Sequence, residues 1–162
     1  MPPTLIIITG TPCTGKSTLA IKLARELGCE RLDLHPYYPH ISNGYNIVKQ
    51  AYNIDPQQFI ALVKKKIKTS KKGLIIDSHI SHLLPPKLVD LCIVLRCSNL
   101  KELRRRLHQR KYSLPKIREN LDAEIFDVCL DEAQEQGHQL LIFDTPWPKN
   151  IITQIKKALQ IR

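Results

Sequence analysis

The residues best suited to chemistry lie in one glycine-rich segment near the start of the chain. Residues 10–17 read GTPCTGKS and match the pattern G-x-x-x-x-G-K-[ST] at every position. In such a loop, consecutive backbone N–H groups hold phosphate oxygens, the lysine reaches the β- and γ-phosphates, and the last hydroxyl binds Mg²⁺. The segment therefore predicts binding of ATP and Mg²⁺, with Lys16 as a catalytic cation and Ser17 as a metal ligand. The other loop residues predicted to bind the nucleotide are Gly10, Cys13, Thr14 and Gly15.

Three further candidates follow apolar runs that are typical of buried strands. Asp77 ends the run Leu74–Asp77, which is the usual position of a second, carboxylate ligand to Mg²⁺. His79 lies two residues on, so strand alternation puts it on the same side, where it could orient water or a phosphate. Arg96 follows another strand-like run and is a candidate clamp on an acceptor phosphate. The alternative for Asp77 is a carboxylate that only caps the next turn. The alternative for Arg96 is a surface arginine that caps the turn at Ser98.

A basic hinge separates two helical patterns in the second half of the chain. Arg106 and Arg110 are four residues apart and therefore share a helix face, and Pro115 then interrupts the pattern. A mobile lid over a triphosphate needs such charges to neutralise the transferring phosphoryl group. We therefore expect a short lid at about residues 106–114, with both arginines on the nucleotide. A solvated basic helix end is the alternative.

The elements that must position these residues alternate between strand and helix patterns. Apolar runs predict strands at residues 5–9, 31–34, 74–77, 91–95 and 139–143. Helical spacing predicts helices at residues 16–27, from Asp55 to about 67, 99–109, 115–136 and 148–159. Residues 35–54 have no clean period, so we expect a long irregular or partly helical excursion there. Strands that alternate with helices form parallel βαβ units, so the predicted fold is α/β, a three-layer sandwich around a five-stranded parallel sheet.

Composition narrows the class of protein. A chain of 162 residues with 43% hydrophobic residues is long enough for one domain with its own core, here residues 1–162. No apolar run reaches the length of a membrane span, and because Met1–Thr4 contain no basic residue and precede no long apolar run, we expect no signal peptide. The chain has five cysteines, an odd number, and none of them form a CxxC pair. This pattern favours a reducing compartment: the cytoplasm, or the nucleus in a eukaryote. The net charge of +10 favours a polyanionic partner.

Several motifs together resemble the atypical adenylate kinase family, which includes the nuclear adenylate kinase isoenzyme six, the coilin-interacting nuclear ATPase and archaeal adenylate kinases. The resemblance covers nearly the whole chain, and the motifs that carry it read GTPCTGKS, IIDSH, VDLCIVLRCSN, RLHQRKYS and KIRENLDAEI. The resemblance implies a P-loop fold similar to that of nucleoside monophosphate kinases, with transfer of the γ-phosphoryl of ATP to AMP and side ATPase activity. It also implies a role in small-subunit ribosome maturation, with a small-subunit ribosomal protein and the pre-ribosomal particle as partners.

Matched by position, the resemblance implies contacts from Gly15, Lys16, Ser17 and Thr18 to ATP phosphates, and a lid role for Arg110. It implies a Walker-B-like role for Asp77 and His79, and it puts the monophosphate-binding region at about residues 35–54. Cys13 and Lys111 stand where the family usually has glycine. From its position at a helix N-terminus, we expect Cys13 to have a lowered pKa and to react with thiol reagents. The acidic run of the family's acceptor region is missing between residues 44 and 53.

Two other functions fit the same residues. A small-molecule kinase would need a carboxylate near an acceptor hydroxyl, and Asp33, near the end of the second predicted strand, could serve. An ATP-switched assembly factor for RNA–protein particles would need a surface for the phosphate backbone. Residues 64–72 contain six lysines and suit that contact, although a solvated helix end is the simpler interpretation. Trp147, after the last predicted strand, is expected to be a packing residue near the region where related kinases contact adenine.

Overall fold

The computed structural model describes residues 4–160, so residues 1–3 and 161–162 of the predicted domain lie outside the described residues. The strands are β1 (Leu5–Thr9), β2 (Glu30–Leu32), β3 (Ser42–Asn46), β4 (Ala51–Ile54), β5 (Leu74–Asp77), β6 (Leu91–Arg96) and β7 (Leu140–Asp144). The α-helices are α1 (Lys16–Leu27), α2 (Pro56–Thr69), α3 (Leu100–Gln109), α4 (Leu114–Ile125), α5 (Val128–Gln136) and α6 (Ile151–Gln160). Short 3₁₀ helices cover His35–His40, Ser81–Leu83 and Pro86–Leu88.

The predicted five-stranded parallel sheet is confirmed. Its strand order is β2-β5-β1-β6-β7, and each neighbouring pair is parallel. The central strand, β1, is completely buried, which explains its continuous run of apolar side chains. Because all five strands are parallel, their carboxyl ends meet at one edge of the sheet, where the candidate residues follow β1, β5 and β6.

Alternating strand residues point into two separate apolar layers. Ile7, Ile76 and Val94 face one layer together with Phe59 of α2 and Ala133 of α5. Their strand neighbours, including Ile6, Ile75 and Ile93, face the other layer with side chains of α1 and α6. The helices therefore cover both faces of the sheet, which gives the predicted three layers and fixes the edge that carries the site.

Two helix starts that the sequence predicted are confirmed by their capping hydrogen bonds. Asp55 Oδ1 accepts from the backbone N–H of Gln57 at 2.9 Å, and Pro56 occupies the first turn of α2. Asn99 Oδ1 accepts from the N–H of Glu102 at 3.1 Å at the start of α3. These local caps fix where the helices begin on either side of the sheet edge.

Two segments differ from the prediction. The single helix predicted over residues 115–136 is wrong, because Asp127 takes a left-handed conformation (φ 51°) that separates α4 from α5. The segment at residues 35–54 is more regular than expected: a 3₁₀ helix leads into an antiparallel hairpin of β3 and β4, with Tyr45 paired to Tyr52. Both differences concern backbone conformations that apolar periodicity does not encode.

Between residues 4 and 160, no helix is long and apolar enough to cross a membrane.

Candidate active site

The glycine-rich loop between β1 and α1 has the backbone conformation that its sequence predicts. Gly15 has φ 94° at the N-cap of α1, a left-handed conformation that favours glycine. A Cβ on Gly10 would lie 2.5 Å from the backbone oxygen of Leu95, so this position requires glycine for close packing against β6. The loop is therefore held against the sheet at one end and turned into the helix at the other.

Lys16 folds back onto its own loop. Its Nζ donates to the backbone oxygens of Gly10 and Thr11, at 2.9 Å in each case. Desolvation lowers the pKa of Lys16 to about 8, and the positive charge of nearby Arg110 contributes. A lysine that is partly desolvated beside another cation gains from an anionic ligand, so the loop is electrostatically prepared for phosphate.

The predicted metal ligands lie side by side. Ser17 Oγ donates to Asp77 Oδ2 at 2.9 Å, which joins the start of α1 to the end of β5. Arg31, which the sequence analysis did not single out, donates to both oxygens of Asp77, at 2.7 and 3.0 Å. The buried Asp77 carboxylate is therefore charge-compensated and held in one orientation.

A hydroxyl and a carboxylate are oxygen donors that fit Mg²⁺, which typically binds one or two protein groups and completes its shell with phosphates and waters. The part of the chain that the structure describes contains no cluster of three or more His, Cys, Asp or Glu side chains that would hold a metal without such help. Ser17 and Asp77 are therefore the described residues that would hold a Mg²⁺ ion bound to a nucleotide.

His79 lies at the wall between two cavities, one of which contains the phosphate loop. His79 is exposed at the cleft wall, yet desolvation by the surrounding protein, and after it the charge of Lys16, lowers the pKa of its ring. The ring is therefore neutral at pH 7, with one nitrogen able to accept a hydrogen bond and the other able to donate one.

One cleft of about 410 Å³ brings most of the predicted residues together. Its volume lies in the range of small-molecule sites. Among the residues predicted to act on the nucleotide, those that line the cleft are Cys13, Gly15, Lys16, Ser17, Thr18, Asp77, His79 and Arg110. The hairpin and the first turns of α4 form further walls. The phosphate loop therefore shares the cleft with residues of both the predicted lid and the predicted monophosphate-binding region.

The hairpin and the 3₁₀ helix that precedes it contribute an aromatic wall to this cleft. Tyr38 and Tyr52 stack with ring centroids 6.2 Å apart, and Tyr45 meets Tyr52 edge-on at 5.0 Å. The hydroxyl groups of Tyr38 and Ser78 are hydrogen bonded at 3.0 Å, which ties the start of this wall to the β5 edge. Such a wall can receive a planar ring.

The hairpin turn is also bonded to α4 across the cleft. Gln50 Oε1 accepts from the backbone N–H of Ser113 at 3.0 Å, and the Gln50 backbone oxygen accepts from Lys116 Nζ at 2.5 Å. The two flanking segments therefore meet over the cleft, although they are more than 60 residues apart in the chain.

Three predicted nucleotide ligands shape the loop without lining the cleft. Gly10 and Thr14 lie behind it, and Thr14 Oγ1 donates to the backbone oxygen of Thr11 at 2.8 Å. Arg106 donates through Nη1 to the backbone oxygen of Cys13 at 3.1 Å and through Nε to Glu102 at 2.9 Å. In this structure, Arg106 supports the loop from the side of α3.

Two sequence expectations about charged residues near the site are wrong. Arg96, expected to clamp an acceptor phosphate, instead pairs with Asp127 at 2.8 Å and does not line the cleft. Asp33, the candidate base for an alcohol acceptor, also lies away from the lining residues and is bonded to the ring of His35 at 2.7 Å. Each side chain follows a strand end as predicted, but neither reaches the cleft: Asp127 holds Arg96, and His35, which does line the cleft, holds Asp33.

The two positions at which the family usually has glycine both adopt left-handed backbone conformations. Cys13 has φ 71° and Lys111 has φ 58°. The expectation of a lowered Cys13 pKa is wrong, because burial raises the pKa of its thiol despite the nearby charges of Arg110 and Lys16. The Cys13 side chain packs instead against Cys97 and leucines of α3.

The residues that the sequence analysis did not identify are Arg31, Gln50 and Lys116. Arg31 is the central residue of the short strand β2, a position that gives no local signal for a role in the site. Lys116 begins the quoted motif KIRENLDAEI, although its position in the motif does not indicate a role. Nothing local marks Gln50, whose partners are on α4.

Comparison with known proteins agrees with this geometry. A family model described as an AAA domain matches residues 6–127. A putative adenylate kinase of Pyrococcus furiosus is 37% identical over 154 residues, covering 93% of this chain and 81% of that protein. An adenylate kinase isoenzyme 6 homolog of Schizosaccharomyces pombe is 37% identical over 143 residues, covering 87% and 80%.

Solved structures share the fold at low identity. A gluconokinase from Sinorhizobium meliloti aligns with a TM-score of 0.61 at 15% identity, covering 99% of this chain and 93% of that one. A shikimate kinase from Bacteroides thetaiotaomicron gives 0.54 at 17% identity, covering 98% and 95%. The fold, the motif-bearing cleft and the relatives that are 37% identical lead to one conclusion: the chain belongs to the family of the putative adenylate kinases and adenylate kinase isoenzyme 6 homologs.

Proposed function

We propose that the protein is an ATP-dependent nucleoside monophosphate kinase that transfers the γ-phosphoryl group of ATP to AMP, producing two ADP, with ATP hydrolysis as a side activity. The observation that carries this proposal is the cleft in which the phosphate loop, the Asp77 strand end, the hairpin and the start of α4 meet. A transferase for two phosphorylated substrates needs walls on both sides of the phosphate loop. The names of the relatives support the same activity.

The chemistry requires positioning and charge neutralisation more than covalent help from the protein. An oxygen of the AMP phosphate attacks the γ-phosphorus, and the bond from that phosphorus to the bridging oxygen breaks to leave ADP. Lys16 and the N–H groups of the loop hold the donor phosphates, while Arg110 neutralises charge on the group in transfer. Ser17 and Asp77 would hold Mg²⁺, which supplies further charge neutralisation.

Hydrolysis uses the same groups with water as the nucleophile. The neutral ring of His79 can accept a hydrogen bond from that water and so orient it. We therefore expect His79→Ala to reduce hydrolysis more than transfer, because the acceptor phosphate already carries its own nucleophilic oxygen.

The test is product analysis with ATP, Mg²⁺ and a panel of monophosphates, with gluconate and shikimate as alcohol acceptors. We expect AMP to raise ADP production above that with ATP alone, and Lys16→Ala to lower turnover at least about 100-fold. Lys22→Ala, on the same helix but away from the cleft, is the matched control and should retain wild-type turnover. Failure of every monophosphate to increase ADP production would overturn the kinase proposal.

A second candidate is an ATP-switched factor in the assembly of small ribosomal subunits, with a ribosomal protein or the pre-ribosomal particle as partner. One observation favours it: Lys64, Lys65, Lys68, Lys71 and Lys72 are all exposed on or just after α2. Such a surface suits the phosphate backbone of RNA. The two candidates are compatible, since they use different surfaces.

A further inference from the structure

The acceptor phosphate lacks an assigned cation. This inference rests on the proposed function, in which a monophosphate must be held beside the donor triphosphate. Arg96, a candidate for this role in the sequence, is paired with Asp127 and does not line the cleft. An acceptor phosphate that carries two negative charges needs a cation close to it, so another residue has to supply the charge.

Four lysine and arginine side chains line the cleft: Lys16, Lys49, Arg110 and Lys116. Lys16 belongs to the phosphate loop, and Arg110 is close enough to lower its pKa, so both lie at the donor end. Lys49 is exposed on the hairpin turn. Lys116 is the cation that lies where the hairpin turn meets the start of α4.

Lys116 is held in a defined place. Its Nζ donates to the backbone oxygen of Gln50 at 2.5 Å and lies 4.2 Å from the ring centroid of Tyr112. An ammonium group has three N–H donors, so it can serve a phosphate oxygen in addition to the carbonyl. The neighbouring bond from Ser113 N–H to Gln50 Oε1 keeps the hairpin beside the start of α4. The ammonium is thus presented to the cleft with little freedom left to lose on binding.

The electrostatic environment of Lys116 also favours an anionic ligand. Desolvation lowers the pKa of Lys116, and the neighbouring Glu119 carboxylate opposes that effect. Gln50 contributes only a neutral carbonyl dipole as the hydrogen-bond acceptor. A charged phosphate oxygen is a stronger acceptor for an ammonium group than a carbonyl is, so an incoming monophosphate would bind well to the N–H groups that Gln50 leaves free.

We propose that Lys116 is the residue that binds the phosphate of the acceptor nucleotide and positions it for attack on the γ-phosphorus. Lys116 takes no proton in the step: it keeps its charge, and the phosphate oxygen itself forms the new bond. The hairpin and α4 then form one acceptor subsite. Gln50 joins the two segments, and the acceptor phosphate binds between them.

Calorimetric titration of three ligands tests the proposal: AMP, adenosine and a non-hydrolysable ATP analogue. The variant Lys116→Gln removes the charge but can still donate to the Gln50 carbonyl, so it separates the charge from the link between hairpin and helix. We expect the Kd of AMP to rise about 10-fold or more, as the loss of a charge-assisted contact requires. The Kd values of adenosine and the ATP analogue should change less than about threefold.

Two further variants sharpen the comparison. Lys116→Arg keeps the positive charge and should restore most of the AMP affinity. Lys101→Gln removes an exposed cation of α3 that does not line the cleft, and it should leave the AMP Kd within about threefold of wild type. In steady-state assays, Lys116→Gln should raise the KM for AMP more than the KM for ATP. Thermal unfolding of each variant shows that it is folded under the assay conditions.

The outcomes separate this inference from the proposed function. An equal loss of AMP and adenosine affinity would show that Lys116 supports the subsite without binding the phosphate, and would overturn the inference. A larger loss for the ATP analogue than for AMP would assign Lys116 to the donor and overturn it as well. If the wild type transfers phosphoryl to AMP while Lys116→Gln binds AMP normally, only the inference fails. If the wild type transfers to no monophosphate, the proposed function fails.

Discussion

At the scale of single residues, the charge state of Lys16 should limit nucleotide capture at high pH. Its pKa is lowered to about 8, so the free enzyme loses this positive charge as the pH rises through that value. We expect kcat/KM for ATP to fall above about pH 8. In the complex, the phosphates raise the pKa of Lys16, so kcat should remain flat to higher pH. Steady-state kinetics from pH 6.5 to 10 measures both, and a kcat/KM that stays level to pH 10 would contradict this assignment.

The thiol of Cys13 should be slow to react, contrary to what its position in the loop suggests. Burial raises its pKa and covers the sulfur with apolar neighbours, so little thiolate is present or reachable at pH 7.5. Cys29 is more exposed and serves as an internal comparison. Mass spectrometry of the native protein after limited alkylation should show Cys29 modified before Cys13. Faster modification of Cys13 would show that the loop opens readily.

Some site residues could be predicted because the neighbouring residues in the sequence are enough to identify their role. Lys16 and Ser17 belong to a continuous motif, and Asp77 ends a recognisable strand. Arg31 could not be predicted, because its partner Asp77 is 46 residues away and the contact depends on the pairing of β2 with β5. The misassigned Arg96 has the same cause: its position at a strand end is local information, whereas its ion pair with Asp127 is not.

At the scale of elements, the turn between α3 and α4 stores backbone strain at Lys111. This exposed residue has φ 58°, which costs a non-glycine residue about 1 kcal/mol. We expect Lys111→Gly to raise the free energy of unfolding by roughly 0.5–1 kcal/mol. Lys111→Ala removes the same charge and retains the strain, so it is the matched control and should give no such gain. Urea unfolding of the three proteins measures the difference.

If Lys111→Ala stabilises the protein as much as Lys111→Gly, then charge repulsion with Arg110 explains the effect and backbone strain does not.

The boundaries of helices and strands, like the site residues, could be predicted where their cause is local and not where it is distant. The side chains of Asp55 and Asn99 cap the first turns of α2 and α3, and both helix starts were predicted. The break at Asp127 has no proline or glycine to mark it, and the hairpin strands are short and polar, so neither could be read from periodicity.

At the scale of the whole molecule, the excess positive charge includes an exposed lysine surface formed by residues 64, 65, 68, 71 and 72. Lysines that neutralise phosphates release counterions, so affinity for RNA should fall steeply with salt. Replacing Lys64, Lys65, Lys68 and Lys72 with glutamine should flatten the plot of log affinity against log salt by up to about 3 units for single-stranded RNA. Fluorescence anisotropy with labelled ribosomal RNA fragments at several salt concentrations gives the slope.

The matched control for this surface neutralises four exposed lysines elsewhere: Lys101, Lys149, Lys156 and Lys157. It has the same net charge as the first variant, so only the location of the charge differs. An equal change of slope in both variants would mean that net charge, and not the lysine surface, governs RNA binding. No change in either would leave that surface as a solvated helix face.

The position of Trp147 gives the molecule an internal optical reporter. It is the single tryptophan in the chain, and its ring lies 2.7 Å from the point that a Cβ on Gly15 would occupy. Any rearrangement of the phosphate loop therefore changes the surroundings of the indole and its emission. Nucleotide capture can be followed in real time on the unlabelled protein, and stopped-flow mixing can separate the binding of phosphates at the loop from later movements of the hairpin.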